Sequence, residues 1–203
     1  MNGKIALGLN PIVSLAPSLL PIILALLLAT PAKAEQTSFH LWSLREIYTD
    51  ASGDLQFIEL FTTSGFEQFI AGHQIHVSNP GGTLTHTFTI PSNLSGSTAN
   101  RALLFGTAGI QAFGAPAPNF IIPNDFLFPE GGTITFFGVN SGPYTPLPTD
   151  GIQSRIWGDG NAVNSPQNYA GQVGAIVVPE PSTYGLLALS GVAMFFLLRR
   201  RMR

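Results

Sequence analysis

Two apolar stretches, one near each end of the chain, confine the part that can fold as a water-soluble domain to the residues between them. The first runs from Ile12 to Ala29 and the second from Gly185 to Leu198, and neither contains a charged residue. The chain therefore divides into an N-terminal segment 1–34, a central segment 35–177 and a C-terminal segment 178–203. The central segment is long enough for one domain with its own hydrophobic core.

The C-terminal segment has the composition of a short membrane helix. Pro181 is incompatible with a helix interior and Ser182 is a favoured N-cap residue, so the helix is predicted to begin at Ser182. From there to Leu198 a helix rises about 25 Å, against a hydrocarbon core of about 30 Å. This pattern alone is also that of an ordinary single-pass anchor. The basic residues expected to stop the segment at the cytoplasmic interface are Arg199, Arg200, Arg201 and Arg203.

Three features in this order resemble the PEP-CTERM sorting signal of bacterial exported proteins: Pro179-Glu180-Pro181, a short apolar helix and a terminal arginine cluster. The resemblance implies that an exosortase, a membrane protease-transpeptidase, recognises Pro179, Glu180 and Pro181 and processes the tail. It also implies a precursor in the inner membrane and a final location at the cell surface or outside the cell. It covers only the C-terminal segment and implies nothing about the fold that precedes it.

The N-terminal segment has the features of a secretory signal peptide. Lys4 supplies a sparse positive charge before the apolar stretch, and Ala32 and Ala34 form the small-x-small pattern that predicts cleavage after Ala34. An uncleaved anchor is the alternative, and either arrangement places the central segment outside the cytoplasm. The chain has no cysteine, so disulfides and thiol chemistry are excluded.

The central segment is acidic. Its only basic residues are Arg45, Arg101 and Arg155, against ten acidic residues, which makes a net charge of −7. Nucleic-acid binding requires clustered basic residues that contact phosphates, so the composition argues against that class. Neither the Gly-x-Ser-x-Gly elbow of hydrolases nor the His-Glu-x-x-His helix of zinc proteases occurs, and no cofactor is expected.

Short apolar runs separated by Gly, Pro and Asn predict an all-β fold. The clearest alternation is Thr83–Ile90, in which residues such as Leu84 and Phe88 are expected to face the core while the threonines face water. No stretch shows sustained helical spacing, so residues 35–177 are predicted to form an antiparallel immunoglobulin-like β-sandwich. Further strands are predicted at Phe39–Thr49, Leu55–Thr62, Gln74–Ser78, Ala102–Phe105, Phe120–Ile122, Thr133–Val139 and Gln153–Trp157.

Three further stretches of the central segment have no clear strand pattern. Asn140–Gly151 is expected to be a loop, and residues 158–171 are rich in Gly and Asn. Ala175–Val178 is either a last strand or the lead into the sorting signal. The alternation around each predicted strand gives a candidate core of Leu44, Ile58, Leu60, Ile75, Val77, Phe88, Leu104 and Ile134.

Dispersed motifs of the central segment resemble the lamin-tail domain, an immunoglobulin-like β-sandwich that also occurs in bacterial secreted proteins. They are Glu46-Ile47-Tyr48, Phe57-Ile58-Glu59-Leu60, Gly72 with Ile75 and Val77, Glu130–Ile134 and Ser154–Gly158. The asparagine usual after the second motif is missing, since Thr62 and Thr63 stand there. The resemblance implies a binding or scaffold module and no enzyme.

One turn has the spacing of a calcium loop. Asp50, Ser52 and Asp54 follow the i, i+2, i+4 pattern of oxygen ligands, but an EF-hand also requires Gly and Glu where this chain has Leu55 and Phe61. A looser extracellular calcium site is a hypothesis, and a hairpin turn whose aspartates cap backbone amides is the alternative. We assign no metal site from the sequence.

Two further pairs of side chains are candidates for a metal or catalytic site. His73 and His76 lie on opposite sides of a strand, which is poor geometry for a shared zinc ion. Glu46 and Glu59 lie on neighbouring predicted strands, as a catalytic pair would. Because Glu59 shares its strand face with apolar residues, we expect a structural carboxylate paired with the backbone or with an arginine.

Two functions follow from these observations. The first is a non-catalytic exported protein of the cell surface or of a biofilm and exopolysaccharide matrix. The alternative is a secreted carbohydrate-binding module or carbohydrate-active enzyme, which requires a groove lined by aromatic side chains and carboxylates. The best candidates for a sugar-stacking platform are Trp42, Tyr144 and Trp157.

Overall fold

The computed structural model describes residues 41–136, 140–178, 189, 190 and 194. Residues 41–136 and 140–178 are all-β and form two sheets, with a 3₁₀ turn at Ile110–Phe113. The strands are β1 Ser43–Thr49, β2 Gln56–Thr62, β3 Gln74–Ser78, β4 Thr85–Thr89, β5 Arg101–Gly106, β6 Phe120–Ile121, β7 Gly132–Phe136, β8 Asn140–Tyr144, β9 Gln153–Ile156 and β10 Gly160–Val163.

The larger sheet has six strands in the order β10-β9-β1-β2-β5-β6. Its pairs are antiparallel except for the short parallel pair of β5 and β6. The β1–β2 hairpin closes as predicted at residues 50–54, where the Asp50 amide donates to the Leu55 carbonyl at 3.0 Å. The smaller sheet has four antiparallel strands in the order β4-β3-β7-β8.

The two sheets share one hydrophobic core, so the domain is a β-sandwich. Ile58 and Leu60 of β2 and Phe105 of β5 pack with Ile75 of β3 and Ile134 of β7, and all five are fully buried. The alternation of apolar and polar residues along each strand places these side chains on the facing surfaces. We call this cluster the inter-sheet core.

The predicted core residues are buried with two differences. Phe88 is only partly buried and packs at the margin of the inter-sheet core. Leu104 is buried, but on the outer surface of the six-stranded sheet. The threonines of β4 face water as predicted, whereas Leu84, expected to face the core, is 58 % exposed because the regular strand begins only at Thr85.

A second cluster, the outer core, covers the outer surface of the six-stranded sheet. It contains Tyr48, Leu55, Phe57 and Leu104 from the sheet and its turn, together with Ile110, Ala115 and Ile176 from segments that cross the sheet. The last of these segments is residues 164–178, which we call the strap. The strap is not a strand apart from one isolated bridge between Gln167 and Val173.

Two strands lie where no strand was predicted, and one of them contradicts a predicted loop. Asn140–Gly151 was expected to be irregular, yet its first five residues form β8, and β10 lies in the Gly- and Asn-rich stretch. Both are edge strands, β8 of the smaller sheet and β10 of the larger. An edge strand tolerates residues such as Pro143 and Gly160 because only one side of it must pair.

Several predicted features lie outside the described residues. They are the signal peptide with Ala32 and Ala34, the sorting residues Pro179, Glu180 and Pro181, and the basic residues Arg199, Arg200, Arg201 and Arg203. Among the residues that are described, no helix has both the length and the apolar character needed to cross a membrane.

Candidate functional site

A β-bulge in β1 brings charged side chains onto the outer surface of the six-stranded sheet. Leu44 pairs with Leu60 but Glu46 pairs with Glu59, so Arg45 is the extra residue. A bulge changes the alternation locally and re-aims the side chains beside it. Arg45 accordingly lies over the Phe61 ring, 5.2 Å from the ring centre, on the same side as Glu46 and Glu59.

Glu59 is a fully buried carboxylate with structural partners. One oxygen, Oε2, accepts the backbone N–H of Gln167 at 2.8 Å. The other, Oε1, is 3.0 Å from Nη1 of Arg45, an ion pair without the alignment of a hydrogen bond. Burial raises the pKa of Glu59 to about 7, because the loss of hydration outweighs the Gln167 hydrogen bond and the Arg45 charge. The expected pairing of this carboxylate with backbone and an arginine is confirmed.

Glu46, the partner of Glu59 across the two strands, is 1 % exposed. Its Oε1 accepts the Ser154 hydroxyl at 2.6 Å and the Ser165 backbone N–H at 2.9 Å. Its Oε2 accepts the Ser165 hydroxyl at 3.3 Å. Both carboxylates therefore fasten the strap to the sheet. Both side chains are buried, so neither lies on a surface that a substrate reaches, which argues against a catalytic pair.

The end of the strap is held by a second set of contacts. The buried Asn164 side chain donates to the Ile176 carbonyl at 2.8 Å and accepts the Ile176 N–H at 2.6 Å. The Val177 amide then donates to the Phe113 carbonyl at 3.1 Å, and the Val178 amide donates to the Gly151 carbonyl at 3.2 Å. The chain is thus docked on the domain up to Val178, the residue before Pro179.

Gly151 is required where Val178 docks. Its φ is +78°, and a Cβ on this residue would lie 2.8 Å from the Cβ of Val178. Both the left-handed backbone and the close approach favour glycine. The docking site is therefore shaped by backbone geometry, which the apolar pattern of the sequence does not reveal.

A separate open groove of about 450 Å³ lies between β8 and the β9–β10 hairpin. Trp157 is half-buried there, and its ring packs over Gly142, where a Cβ would lie 2.8 Å from the ring. Arg155 donates to the Thr145 hydroxyl at 2.7 Å and to the Pro146 carbonyl at 3.2 Å. Asp159 also lines the groove and is exposed. An aromatic face beside a carboxylate and a guanidinium suits a ligand with both apolar and hydroxyl surfaces.

The three aromatic candidates occupy different environments. Trp42 is 1 % exposed, and its indole N–H donates to the Glu67 carbonyl at 3.0 Å, so it belongs to the inter-sheet core. Tyr144 lines the groove but is largely buried, and its hydroxyl accepts the Phe128 N–H at 3.1 Å. Burial raises the pKa of Tyr144 to about 12. Trp157 is the candidate with an accessible ring.

The turn with the calcium-like spacing is a capped hairpin turn. Asp50 accepts the Leu55 N–H at 3.1 Å through one oxygen and the Ser52 hydroxyl at 2.6 Å through the other. Asp54 accepts the Asn124 side chain at 2.8 Å. Within the described residues no three His, Asp or Glu side chains are grouped so that they would hold a metal ion. The capping interpretation holds for Asp50, whereas Asp54 binds a side-chain amide, and calcium binding stays a hypothesis.

His76 and His86 have separate environments. His76 contacts the Thr87 hydroxyl at 2.9 Å on the exposed face of the smaller sheet. His86 contacts the Phe126 carbonyl at 3.0 Å, and its ring stacks on Phe128 at 4.6 Å. These contacts are those of ordinary strand residues.

Comparison with known proteins identifies the C-terminal segment. Residues 177–201 match the family model of the PEP-CTERM protein-sorting motif, so the chain carries the motif of an exported protein that an exosortase processes. No curated protein and no solved structure matches the chain. The lamin-tail resemblance of the central segment therefore stays a prediction.

Sequence reasoning missed the strap. The hydrogen bond from Ser165 to Glu46 spans 119 residues of sequence, and that from Gln167 to Glu59 spans 108. Both donors are backbone amides in a polar stretch with no apolar periodicity. The sequence contains one signal for such a contact, which is the expected burial of Glu59 on an apolar strand face. A buried carboxylate requires a hydrogen-bond partner from elsewhere in the chain.

Proposed function

We propose that the chain is a non-catalytic protein of the cell surface or of an exopolysaccharide matrix, delivered there by its sorting motif. The observation that carries this proposal is the direct continuation of a docked strap into the motif at residues 177–201. The sandwich is cargo, joined to the signal without a long linker. The membrane-anchored form is the precursor, and processing releases the domain.

The structural use of Glu46 and Glu59 supports a role without catalysis. A glycoside hydrolase needs two carboxyl groups that flank an accessible bond. Here the two paired carboxylates are buried and hydrogen-bonded to the strap. Incubation of the purified protein with exopolysaccharide from its host should release no reducing ends. Cleavage of the polymer would contradict the proposal.

Processing is tested in hosts with and without an exosortase. With the enzyme, intact mass should show loss of Arg199–Arg203, and the protein should leave the membrane fraction. Replacement of Pro179 and Pro181 by alanine lets the predicted helix extend toward the domain, so the tail should be retained. A control variant at Pro166, within the strap, should be processed normally. Retention of the arginines in the released parent would leave a plain single-pass anchor.

Saccharide binding is the second candidate, favoured by the groove at Trp157. Its half-buried ring, the exposed Asp159 and the Arg155 guanidinium offer stacking and hydrogen bonds to one ligand. The chain has two tryptophans and Trp42 is buried, so a fluorescence change on addition of polysaccharide reports Trp157. Trp157→Ala should abolish the binding, and Phe66→Ala, at an exposed aromatic residue elsewhere, should not.

A further inference from the structure

Exposed apolar side chains surround Val178, the last residue of the strap. Phe113, Ile152, Val163 and Val177 are 38 %, 43 %, 64 % and 58 % exposed. Val177 is bonded to the Phe113 carbonyl, and Val178 is bonded to Gly151, the neighbour of Ile152. The Asn164 amide, next to Val163, donates to the Ile152 carbonyl at 3.0 Å. We call these four residues the exit face.

We propose that the exit face rests on the lipid surface of the membrane in the tail-bearing precursor. This rests on the proposed function, since it requires the C-terminal segment to be in the bilayer. Single exposed apolar residues are normal on a protein surface, but a contiguous group indicates an interaction site. The sequence indicates a lipid surface as the occupant, because the chain leaves this group toward an uncharged apolar stretch that begins at Gly185.

The tether is short. Seven peptide units separate Val178 from Gly185, and a fully extended chain covers at most about 25 Å over that length. The headgroup region on each side of the hydrocarbon is several ångströms thick, so the tether itself keeps the exit face close to the membrane. Because Val178 is docked on Gly151, the face around the docking point is the one that the tether draws toward the lipid.

The charges of the domain favour contact through apolar groups. The three arginines of the central segment are engaged elsewhere: Arg45 with Glu59, Arg101 with Tyr169, and Arg155 with Thr145. The central segment has no lysine. Asp150 beside the exit face uses its carboxylate to accept the amides of Ile152 and Gln153 at 2.9 and 2.7 Å. Anionic lipid and low salt should therefore not strengthen the contact, unlike binding through a basic patch.

One consequence concerns access to the sorting motif. With the exit face on the membrane, Pro179, Glu180 and Pro181 lie between the domain and the lipid headgroups. A processing enzyme then reaches them only from the side or after the domain lifts away. The opposite end of the sandwich gives a matched control surface, because the loop after β2 exposes Phe66 and Phe69, 89 % and 57 % exposed.

The chain has no native cysteine, so single spin labels can be placed without background. Cysteine is introduced at Phe113, Ile152 or Val177 on the exit face, at Phe66 or Phe69 on the control surface, and at Leu189 in the tail. The tail-bearing protein is purified from membranes of a host without an exosortase and reconstituted in phosphatidylcholine vesicles. Power-saturation EPR then compares collisions with oxygen, which concentrates in lipid, and with a water-soluble nickel chelate.

Labels on the exit face should collide several-fold less with the nickel chelate than labels at Phe66 and Phe69, and this difference should persist in vesicles with anionic lipid and at high salt. Equal nickel access at both ends, with the Leu189 label in lipid, would overturn the inference and leave membrane anchoring intact. A Leu189 label in water would overturn the anchoring itself. The labelled positions are exposed, and the docking bonds at Phe113 and Val177 use backbone atoms, so each variant should unfold at the parent's temperature.

Discussion

The six-stranded sheet has a hydrophobic core on each face, and the two cores differ in what covers them. The inter-sheet core is covered by the smaller sheet, and apolar side chains from the two sheets pack together in it. The outer core is closed by the strap and by the segment around Ile110, neither of which is a sheet. On the outer face two glutamates are buried beside the apolar cluster, and both bind the strap.

This difference indicates two kinds of stability in one small domain. The inter-sheet core depends on area removed from water, which is insensitive to pH. The strap that covers the outer core is held by hydrogen bonds to carboxylates and by the docking of a few residues. It should therefore open more easily than the inter-sheet core, and its opening should respond to pH. The strap is also the part of the domain that leads into the sorting motif.

The largest expected effect is a cavity in the inter-sheet core. Phe105→Ala should destabilise the domain by about 3–5 kcal/mol, since this side chain is fully buried between the sheets. Ile176→Ala in the outer core should cost only about 2 kcal/mol, the low end for such truncations, because the strap can adjust. Urea unfolding measures both. Equal costs would mean that the strap is as integral to the fold as the second sheet.

The next effect is a dependence of stability on pH from Glu59. Its folded pKa of about 7 lies above its ordinary value of 4.5, so the folded state binds more protons than the unfolded state between these values. Stability should therefore be greatest below about pH 4.5 for this group and fall as the pH rises through 7, by on the order of 3 kcal/mol.

Glu59→Gln is the control for that titration, because glutamine resembles the protonated carboxyl group. The variant should lose the fall in stability between pH 5 and 8 and should be at least as stable as the parent at pH 8. A parent whose stability is constant over this range, or a glutamine variant that keeps the parent's slope, would show that Glu59 stays ionised when folded.

A smaller effect separates the hydrogen bonds of the outer face from its apolar packing. Glu59→Leu leaves the Gln167 amide without its acceptor and should cost about 1–3 kcal/mol at pH 5, where the parent carboxyl is protonated. Hydrogen exchange should show the strap amides, Val177 and Val178 among them, exchanging faster while those of β2 do not. Unchanged exchange at the strap would argue that packing alone holds it.

The smallest effect on stability should come from Trp157 in the groove, which is only partly buried and packs at the margin of the inter-sheet core. Trp157→Ala should change the free energy of unfolding by no more than about 1 kcal/mol, because its ring is partly exposed at the edge of the sandwich. Trp42→Ala, at a buried tryptophan with a hydrogen bond, should cost about 3–5 kcal/mol. Similar losses at the two positions would place Trp157 in the core and remove the case for a ligand platform.

Much of the sandwich was predictable because strand patterns are local. The predicted strand Gln74–Ser78 has the observed bounds, and Leu55–Thr62 differs from β2 by one residue. A period of two places alternate side chains on opposite faces, so most of the candidate core residues do lie in the inter-sheet core. The missed strands, β8 and β10, are edges whose Pro and Gly composition carries no such period.

The sequence by itself determined that this protein carries an export and sorting signal, since the motif at residues 177–201 is linear and is recognisable without a fold. It also determined the all-β class and the burial of Glu59's strand face. Only the tertiary structure decided what Glu46 and Glu59 do, which tryptophan is accessible, and that the chain is docked up to Val178. The roles of the two glutamates depend on contacts between residues more than a hundred positions apart, and a local pattern does not encode which distant amide a buried carboxylate will bind. The docking of Val178 likewise depends on segments that are separate in sequence, those of Phe113 and Gly151.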